Sequence, residues 1–468
     1  MHRFQIVFLM NCKITDEQWQ NMLTDLFNRF PSFQKAGAIA YKPGIENIMF
    51  FDQMAGHPHR KFKTIHVAGT NGKGSVSNML ASVLSASGLK VGLYTSPHIE
   101  DFRERMRIKS ADELYYISKD EVWDFVQVWK ETFEHLDMSF FEITTMMAFS
   151  WFATQKVDIA VIETGLGGRL DTTNIIGPEL SIITNIGLDH CDILGNSLAE
   201  IAFEKAGIIK PCVPVVVGES DIETDAVFER KTLYTNLSES EFMGDRNRIM
   251  SLLNFADKVE PSLWTSSENI LRSMDLQGAY QAKNLRTVLA ALDVLKSRGV
   301  LPASMEDSTI EDALLHTAER MDFHGRWEKV SDNPCIICDI GHNAHGMKYN
   351  FSQLGSMLLS GEFTSLIMVY GSVNDKDVRS VLELMPQDAY HIFTQADSHR
   401  AMACSELMAL YQKVKGSDAR CEAYEHISDA ITRALAYAHS EGGKRPLVYV
   451  GGSTYVVSEF LHFFKKMS

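Results

Sequence analysis

Apolar and polar residues follow two periods along this chain, one near 3.6 and one of short continuous runs. Trp19, Met22, Leu23, Leu26 and Phe27 are spaced as one helix face, which predicts a helix over 18–30. A second helix is predicted over 46–54. Between them Lys42-Pro43-Gly44 marks a loop. A β-prone run at 64–68 then leads through a glycine-rich turn into a helical pattern at 76–87. A strand at 91–95 completes a βαβ unit. Further on, helical stretches fall within 110–135 and over 140–155, 198–210 and 280–297. Strand-like runs lie at 157–163, 181–187 and 211–218. Segment 101–107, with Arg103, Arg105 and Arg107 alternating, reads as an exposed edge or loop. Segment 221–270 reads as peripheral strands and loops.

The pattern shifts at 299–322 and begins again. Strands at 335–340, 365–370, 390–394 and 446–450 alternate with helices, as in a doubly wound sheet. The chain is therefore expected to be α/β, with one domain over 1–320 and a smaller one over 321–468. At 468 residues it is too long for one core.

Composition narrows the function. Hydrophobic residues at 45% and charged residues at 22% are those of a globular protein. A net charge of −15 argues against a nucleic-acid partner, which needs a broad basic surface. The seven cysteines, at 12, 191, 212, 335, 338, 404 and 421, show no framework spacing, so a reducing compartment is expected. Cys335 and Cys338 fall in one predicted strand and read as buried strand residues. The apolar run 4–10 is too short to span a membrane and lacks a cleavage site. Translation from Met10, a cytoplasmic location, no membrane partner and a monomer are the expectations.

Candidate chemistry gathers at strand ends. The stretch Gly69-Thr70-Asn71-Gly72-Lys73-Gly74-Ser75 sits between strand and helix, as a phosphate-cradling loop does. Its glycines let backbone N–H groups turn inward. Lys73 adds a point charge, and Ser75 a hydroxyl for a metal ion. The spacing departs from a strict P-loop, because Gly74 separates Lys73 from the hydroxyl. Ser96, Glu163 and His190 stand at or just beyond the carboxyl ends of three predicted strands. There they make a candidate site for a divalent cation, Mg²⁺ or Mn²⁺. Asp339, His342 and Asp375 hold the matching positions in the second domain.

Taken together, GTNGKGS (69–75), YTSPH (94–98), ETGLGGRLDTTN (163–174), LDH (188–190), EKAGIIK (204–210), HGRWE (324–328) and DIGHN (339–343) are similar to the motifs of the folylpolyglutamate synthase/dihydrofolate synthase family, within the Mur ligase superfamily. They occur in family order, and the resemblance runs from about residue 18 onward. It implies a P-loop-containing Mur-ligase central domain followed by a smaller doubly wound C-terminal domain. Thr70, Asn71, Gly72, Lys73, Gly74 and Ser75 would bind the ATP phosphates, and Asn284, Arg326 and Asp339 the rest of the nucleotide. Ser96, Glu163 and His190 would hold Mg²⁺, with two ions expected. Lys205 matches a lysine that is carbamylated in the family, and His342 a catalytic residue of the second domain. Tyr41, Lys42, Pro43, Phe141, Leu170, Asp171 and Thr172 would contact the pterin substrate. Where the family has D-G-A-H-N-P, this chain has Asp339-Ile340-Gly341-His342-Asn343-Ala344: the Asp–His spacing stays and the proline does not.

The implied reaction is ATP-dependent addition of L-glutamate to a folate, and to dihydropteroate, through an acyl phosphate. Three rivals are weighed against it. A muramyl ligase places a whole domain before the glycine loop, whereas fewer than 70 residues precede Gly69. An ATP-dependent switch would hydrolyse without an acceptor. A P-loop kinase would form no amide.

Overall fold

The computed structural model describes residues 13–31, 37, 42–374, 376–440 and 445–467. It divides into two compact units. The first comprises the described residues of Met1–Asp275 together with Ala282–Asp322. The second comprises Leu276–Gln281 with those of Phe323–Ser468.

Among the described residues the first unit carries eight strands: β1 (Lys63–Ala68), β2 (Val91–Tyr94), β3 (Met106–Lys109), β4 (Leu114–Tyr116), β5 (Ile159–Glu163), β6 (Leu180–Ile183), β7 (Val215–Val217) and β8 (Leu253–Phe255). They form one sheet in the order β4-β3-β2-β5-β1-β6-β7-β8. From β2 to β8 the neighbours run parallel, while β3 and β4 extend the sheet antiparallel. Helices cover both faces, so the central strands are buried along their length and read as unbroken apolar runs. Helix Lys73–Ala86 is buried almost all round, as is Phe140–Thr154, whose apolar residues occupy every side. Ser118, Ser139 and Ser197 start their helices by reciprocal capping with Glu121, Glu142 and Glu200.

Two expectations are corrected here. Segment 101–107 is not an exposed edge. Its last residues enter β3, which lies between β2 and β4, and Arg105 and Arg107 are both buried. Burial of Arg107 is tolerated because its guanidinium donates to the carbonyl of Met321 and, at 3.0 Å, to Asn78 Oδ1. Burial still pulls its pKa below the usual arginine value. Segment 221–270 is mostly loop and turn with the short strand β8, as expected, but it also carries helices Asp225–Asn236 and Arg246–Met250 and the start of Ser267–Ser273, which were not expected. The buried stripe of the first of these is Phe228, Thr232 and Asn236. The spacing is helical, but two of the three residues are polar, so no apolar period shows.

The second unit holds β9 (Glu328–Asp332), β10 (Cys335–Asp339), β11 (Ser365–Tyr370), β12 (Tyr390–Thr394), β13 (Cys421–Tyr424) and β14 (Pro446–Gly451). Their order is β13-β12-β11-β14-β10-β9, parallel except for the edge strand β9. Met347, Phe351, Met368, Phe393 and Tyr449 lie in its main core. Cys335 and Cys338 are buried residues of β10 and free thiols, as the strand pattern implied. No helix of the described residues is long and apolar enough to cross a membrane.

Candidate active site

In the first unit the functional groups collect along one edge of the sheet, and strand register explains why. Tyr94 of β2 lies level with Ile162 of β5, Glu163 with Val67 of β1, and Ala68 with Ile183 of β6. Four adjacent strands therefore end together. Ser96 follows β2, Glu163 closes β5, the glycine loop follows β1, and His190 stands in the connection that leaves β6. That connection holds His190 at φ 53° as it enters the short helix Cys191–Leu194. The three candidate metal ligands thus share an edge with the glycine loop, which lies between the strands of Glu163 and His190.

The loop is held by residues the motif does not contain. Thr70 N–H donates to the Asn185 carbonyl at 3.0 Å, and Asn71 N–H to Asn185 Oδ1 at 2.9 Å. Thr70 Oγ1 exchanges hydrogen bonds with the backbone of Gly187. Thr184 donates its hydroxyl to the Asn71 carbonyl. Asn185 is fixed in turn by Glu219, which pairs with Lys283. Thr184 and Asn185 were missed from sequence. Their signal was the pair of polar residues that interrupts the apolar run after Ile183.

Two glycines are required by shape. Gly69, at φ 152°, would bring a Cβ within 1.8 Å of Thr184 Oγ1. Gly72, at φ 84°, would bring one within 2.3 Å of Asn284 Oδ1. The second contact places Asn284, predicted for the nucleotide site, against the loop. Gly72 is also the N-cap of helix Lys73–Ala86 and makes no side-chain cap. The first-turn N–H groups and the positive end of the dipole face the loop, an arrangement that favours an anion.

Lys73 and Lys205 converge. Both amines donate to the Gly69 carbonyl, at 3.0 and 2.9 Å. Lys205 is buried. Burial first, and the charge of Lys73 second, lower its pKa to about 7, against the opposing pull of Asp189 and Asp171. A substantial share of this amine is therefore neutral near neutral pH, and nucleophilic.

The segment 163–174 packs on the helix that carries Lys205. A Cβ at Gly168 would meet the carbonyls of Lys205 and Glu204, at 2.9 and 3.0 Å. Arg169 N–H donates to the Glu204 carbonyl, and the two side chains pair. Asn174 reaches the Gly207 carbonyl. Inside the segment, Asp171 accepts four hydrogen bonds: Gly165 and Leu166 N–H on one oxygen, Thr173 N–H and hydroxyl on the other. Both oxygens are engaged within the loop, so this carboxylate organises the segment predicted to touch substrate. Helix Phe140–Thr154 meets the segment through Phe141 and Thr145. The Phe141 ring lies 2.5 Å from where a Gly165 Cβ would stand, and Thr172 Oγ1 meets Thr145 Oγ1 at 2.9 Å. Leu170 is partly exposed in the same segment. Lys42 is directed elsewhere, since its amine binds the carbonyl and carboxylate of Asp137. Pro43 is exposed. Tyr41 and Asp375 lie outside the described residues.

In the second unit Asp339, at the carboxyl end of β10, accepts from Tyr280 hydroxyl, Trp327 N–H, Gly341 N–H and Asn350 Nδ2, at 2.6 to 2.8 Å. The Arg326 guanidinium lies over the Phe323 ring, 5.2 Å from its centroid. His342 Nδ1 is 3.1 Å from the Ile340 carbonyl. Asn343 caps helix Ala344–Leu359.

Comparison with known proteins gives the family and the fold. The family model described as the Mur ligase middle domain matches residues 67–292, and that described as the Mur ligase, glutamate ligase domain, matches 325–453. A dihydrofolate synthase/folylpolyglutamate synthase of Bacillus subtilis is 30% identical over 428 residues, which cover 89% of this chain and 94% of that protein. The chain belongs to the folylpolyglutamate synthase/dihydrofolate synthase family. It is an ATP-dependent ligase of the Mur type, with the two-domain fold of that superfamily. A folylpolyglutamate synthase from Thermotoga maritima has the same fold, with a TM-score of 0.71 and 28% identity over 97% of this chain and 98% of that one. A probable bifunctional folylpolyglutamate synthase/dihydropteroate synthase of Haloferax volcanii is 30% identical over 89% of this chain. The chain spans about half, 48%, of that relative's length.

Proposed function

We propose that this ligase joins L-glutamate to the free carboxylate of a reduced folate, and of dihydropteroate, using ATP. The observation that supports this reading most is the meeting of Lys73, Lys205 and the glycine loop on one edge with the Asp171-organised segment. A phosphate site and an acceptor loop on one frame suit transfer of a phosphoryl group to an acid. The acceptor carboxylate attacks the γ-phosphorus, ADP leaves, and an acyl phosphate forms. The glutamate amine then attacks the acyl carbon, the amide forms, and phosphate departs with the amine proton released. Lys73 and the first-turn N–H groups offset the charge that gathers on the moving phosphoryl group.

The residues at the edge fit a hard divalent cation. Glu163, only 3% exposed, brings an anionic oxygen there, Ser75 and Ser96 bring hydroxyls, and His190 an imidazole. These residues would hold Mg²⁺, which supplies further charge neutralisation when bound. Lys205 is assigned as a carbamylation site, since its neutral amine can add to CO₂ and become an anion. Arg326 and Asp339 are assigned to the nucleotide and His342 to catalysis, on the family motif.

Incubation with ATP, Mg²⁺, glutamate and either dihydropteroate or tetrahydrofolate tests the proposal by product mass. A product heavier by one glutamyl residue, with one ADP per amide, is expected from each acceptor. Phosphate release without an acceptor, or a phosphorylated product without an amide, would refute it. Lys73→Ala should lower ligation by about a thousandfold or more, as loss of a group acting on transition-state charge does.

A further inference from the structure

Beneath the acceptor segment lies a buried polar chain that the reaction does not use directly. His66 occupies the middle of β1, level with Ile162 on one side and Ser181 on the other, and is fully buried. Its Nε2 lies 2.8 Å from Thr173 Oγ1. Thr173 Oγ1 is also bonded to Asp171 Oδ1. The hydrogens can be placed by elimination. Two of the other contacts to Asp171 come from the N–H groups of Gly165 and Leu166, and the third from Thr173 N–H. Burial raises the pKa of Asp171, but all three of these groups are donors, and with them the ionised, accepting carboxylate is the favoured form. The Thr173 hydroxyl must then donate to it, and His66 must donate Nε2–H to the hydroxyl. Nδ1 is left as the bare acceptor of a neutral imidazole, and it meets no donor among the described residues. That tautomer leaves a buried acceptor unmet rather than a buried N–H. Burial and Lys210 keep the ring neutral, lowering its pKa to about 3.

We propose that His66 is a positioning residue for acceptor binding: its Nε2–H, passed through the Thr173 hydroxyl to Asp171, fixes segment 165–173 in the shape that receives the acid substrate. This rests on the proposed function. His66 touches neither the glycine loop's phosphate-facing groups nor Lys205 in any described contact, so its influence should fall on one substrate only. Phe141 and Thr145 of helix Phe140–Thr154 meet the segment at Gly165 and Thr172, and a relaxed loop would shift both contacts.

The test uses full-length protein and steady-state kinetics with tetrahydrofolate, glutamate and ATP each varied. His66→Leu removes the donor. It should raise the acceptor KM about tenfold, the usual size for a buried acceptor left short of one partner, with kcat and the ATP KM within about threefold. His66→Gln places an amide N–H near the Nε2 position and should restore the acceptor KM to within about threefold of wild type. His66→Asn reaches only the Nδ1 position and should behave like His66→Leu. Thr173→Ser against Thr173→Val gives the same contrast without touching β1, should a β1 substitution fail to fold. An unchanged acceptor KM in His66→Leu and Thr173→Val overturns the inference, as does an equal rise in the ATP KM or equal behaviour of the Gln and Asn variants. Wild-type protein that makes no amide overturns the proposed function, and this inference with it. Wild-type ligation with insensitive variants overturns the inference alone.

Discussion

Each unit buries one aspartate under four hydrogen-bond donors, and the donors come from different distances along the chain. Those of Asp171 are Gly165, Leu166 and Thr173, all within its own loop. Those of Asp339 are Tyr280, Trp327, Gly341 and Asn350, drawn from the crossing segment Leu276–Gln281, the turn before β9, the end of β10 and helix Ala344–Leu359. The local arrangement gives a loop its shape and adds little to the stability of the whole. The dispersed arrangement ties together segments far apart in sequence. Function and stability should therefore separate between the two.

Asp339→Ala sharpens this most. It leaves a buried phenol, two buried or half-buried N–H groups and an amide without their common acceptor. A loss of about 3–5 kcal/mol in the unfolding free energy of the second unit is expected. Urea unfolding followed through Trp327, the one tryptophan of that unit, measures it. A loss below about 1 kcal/mol would break the comparison.

Asp171→Asn is the matching change in the first unit. An amide nitrogen now faces N–H or hydroxyl donors at one of the two positions. The expected cost to stability is smaller, about 1–2 kcal/mol, because the strands around it keep their ladders. The acceptor KM should rise about tenfold or more, while ATP affinity holds, as a binding assay with ATP alone would show. A destabilisation equal to that of Asp339→Ala, with the KM unchanged, would mean the loop carries stability rather than shape.

The Lys205 amine beside this loop gives the first unit a pH signature. Its folded pKa of about 7 lies below the usual 10.5. Between those values the unfolded chain binds a proton that the folded chain does not, so stability rises with pH from about 7 toward 10.5. The deficit is complete below 7. The slope is at most about 1.4 kcal/mol per pH unit, and Lys205→Met should flatten it in CO₂-free buffer. An identical slope in the variant would place the titration elsewhere.

Much of this was legible in the chain. The glycine loop, the strand ends at Ser96 and Glu163, and the β10 run ending in Asp339 each lie within one predicted element and its flanking turn, whereas β6 stops at Ile183 and His190 stands in the connection beyond it. Such features need only local order and the rule that sites form at carboxyl ends of strands. What escaped was set by partners distant in sequence. Thr184 and Asn185 clamp a loop more than a hundred residues earlier, and Arg107 is buried because Met321, still further along, offers a carbonyl. The alternation of arginines at 103–107 is that of an exposed strand until such partners are known. Helix Asp225–Asn236 was missed for a different reason, because a buried Thr and Asn stand where apolar residues would show the period.

Tyr280→Phe is the mildest cut and bears on how the dispersed aspartate works. The phenol donates to Asp339 Oδ2 at 2.6 Å, and its pKa is raised well above the usual value by burial and by that carboxylate. Phenylalanine keeps the ring that lies against Gly278 and removes one donor of four. Because Trp327 N–H reaches the same oxygen at 2.8 Å, Oδ2 keeps a partner. The loss should be about 1 kcal/mol, that of one hydrogen bond whose acceptor is not stranded. If the loss instead matched that of Asp339→Ala, Tyr280 would be the sole anchor and the other three donors ornaments of a fixed backbone. If Tyr280→Phe cost nothing while Asp339→Ala cost the full amount, the crossing segment would be held by its own backbone, and the aspartate would join only the turn before β9, the end of β10 and the helix.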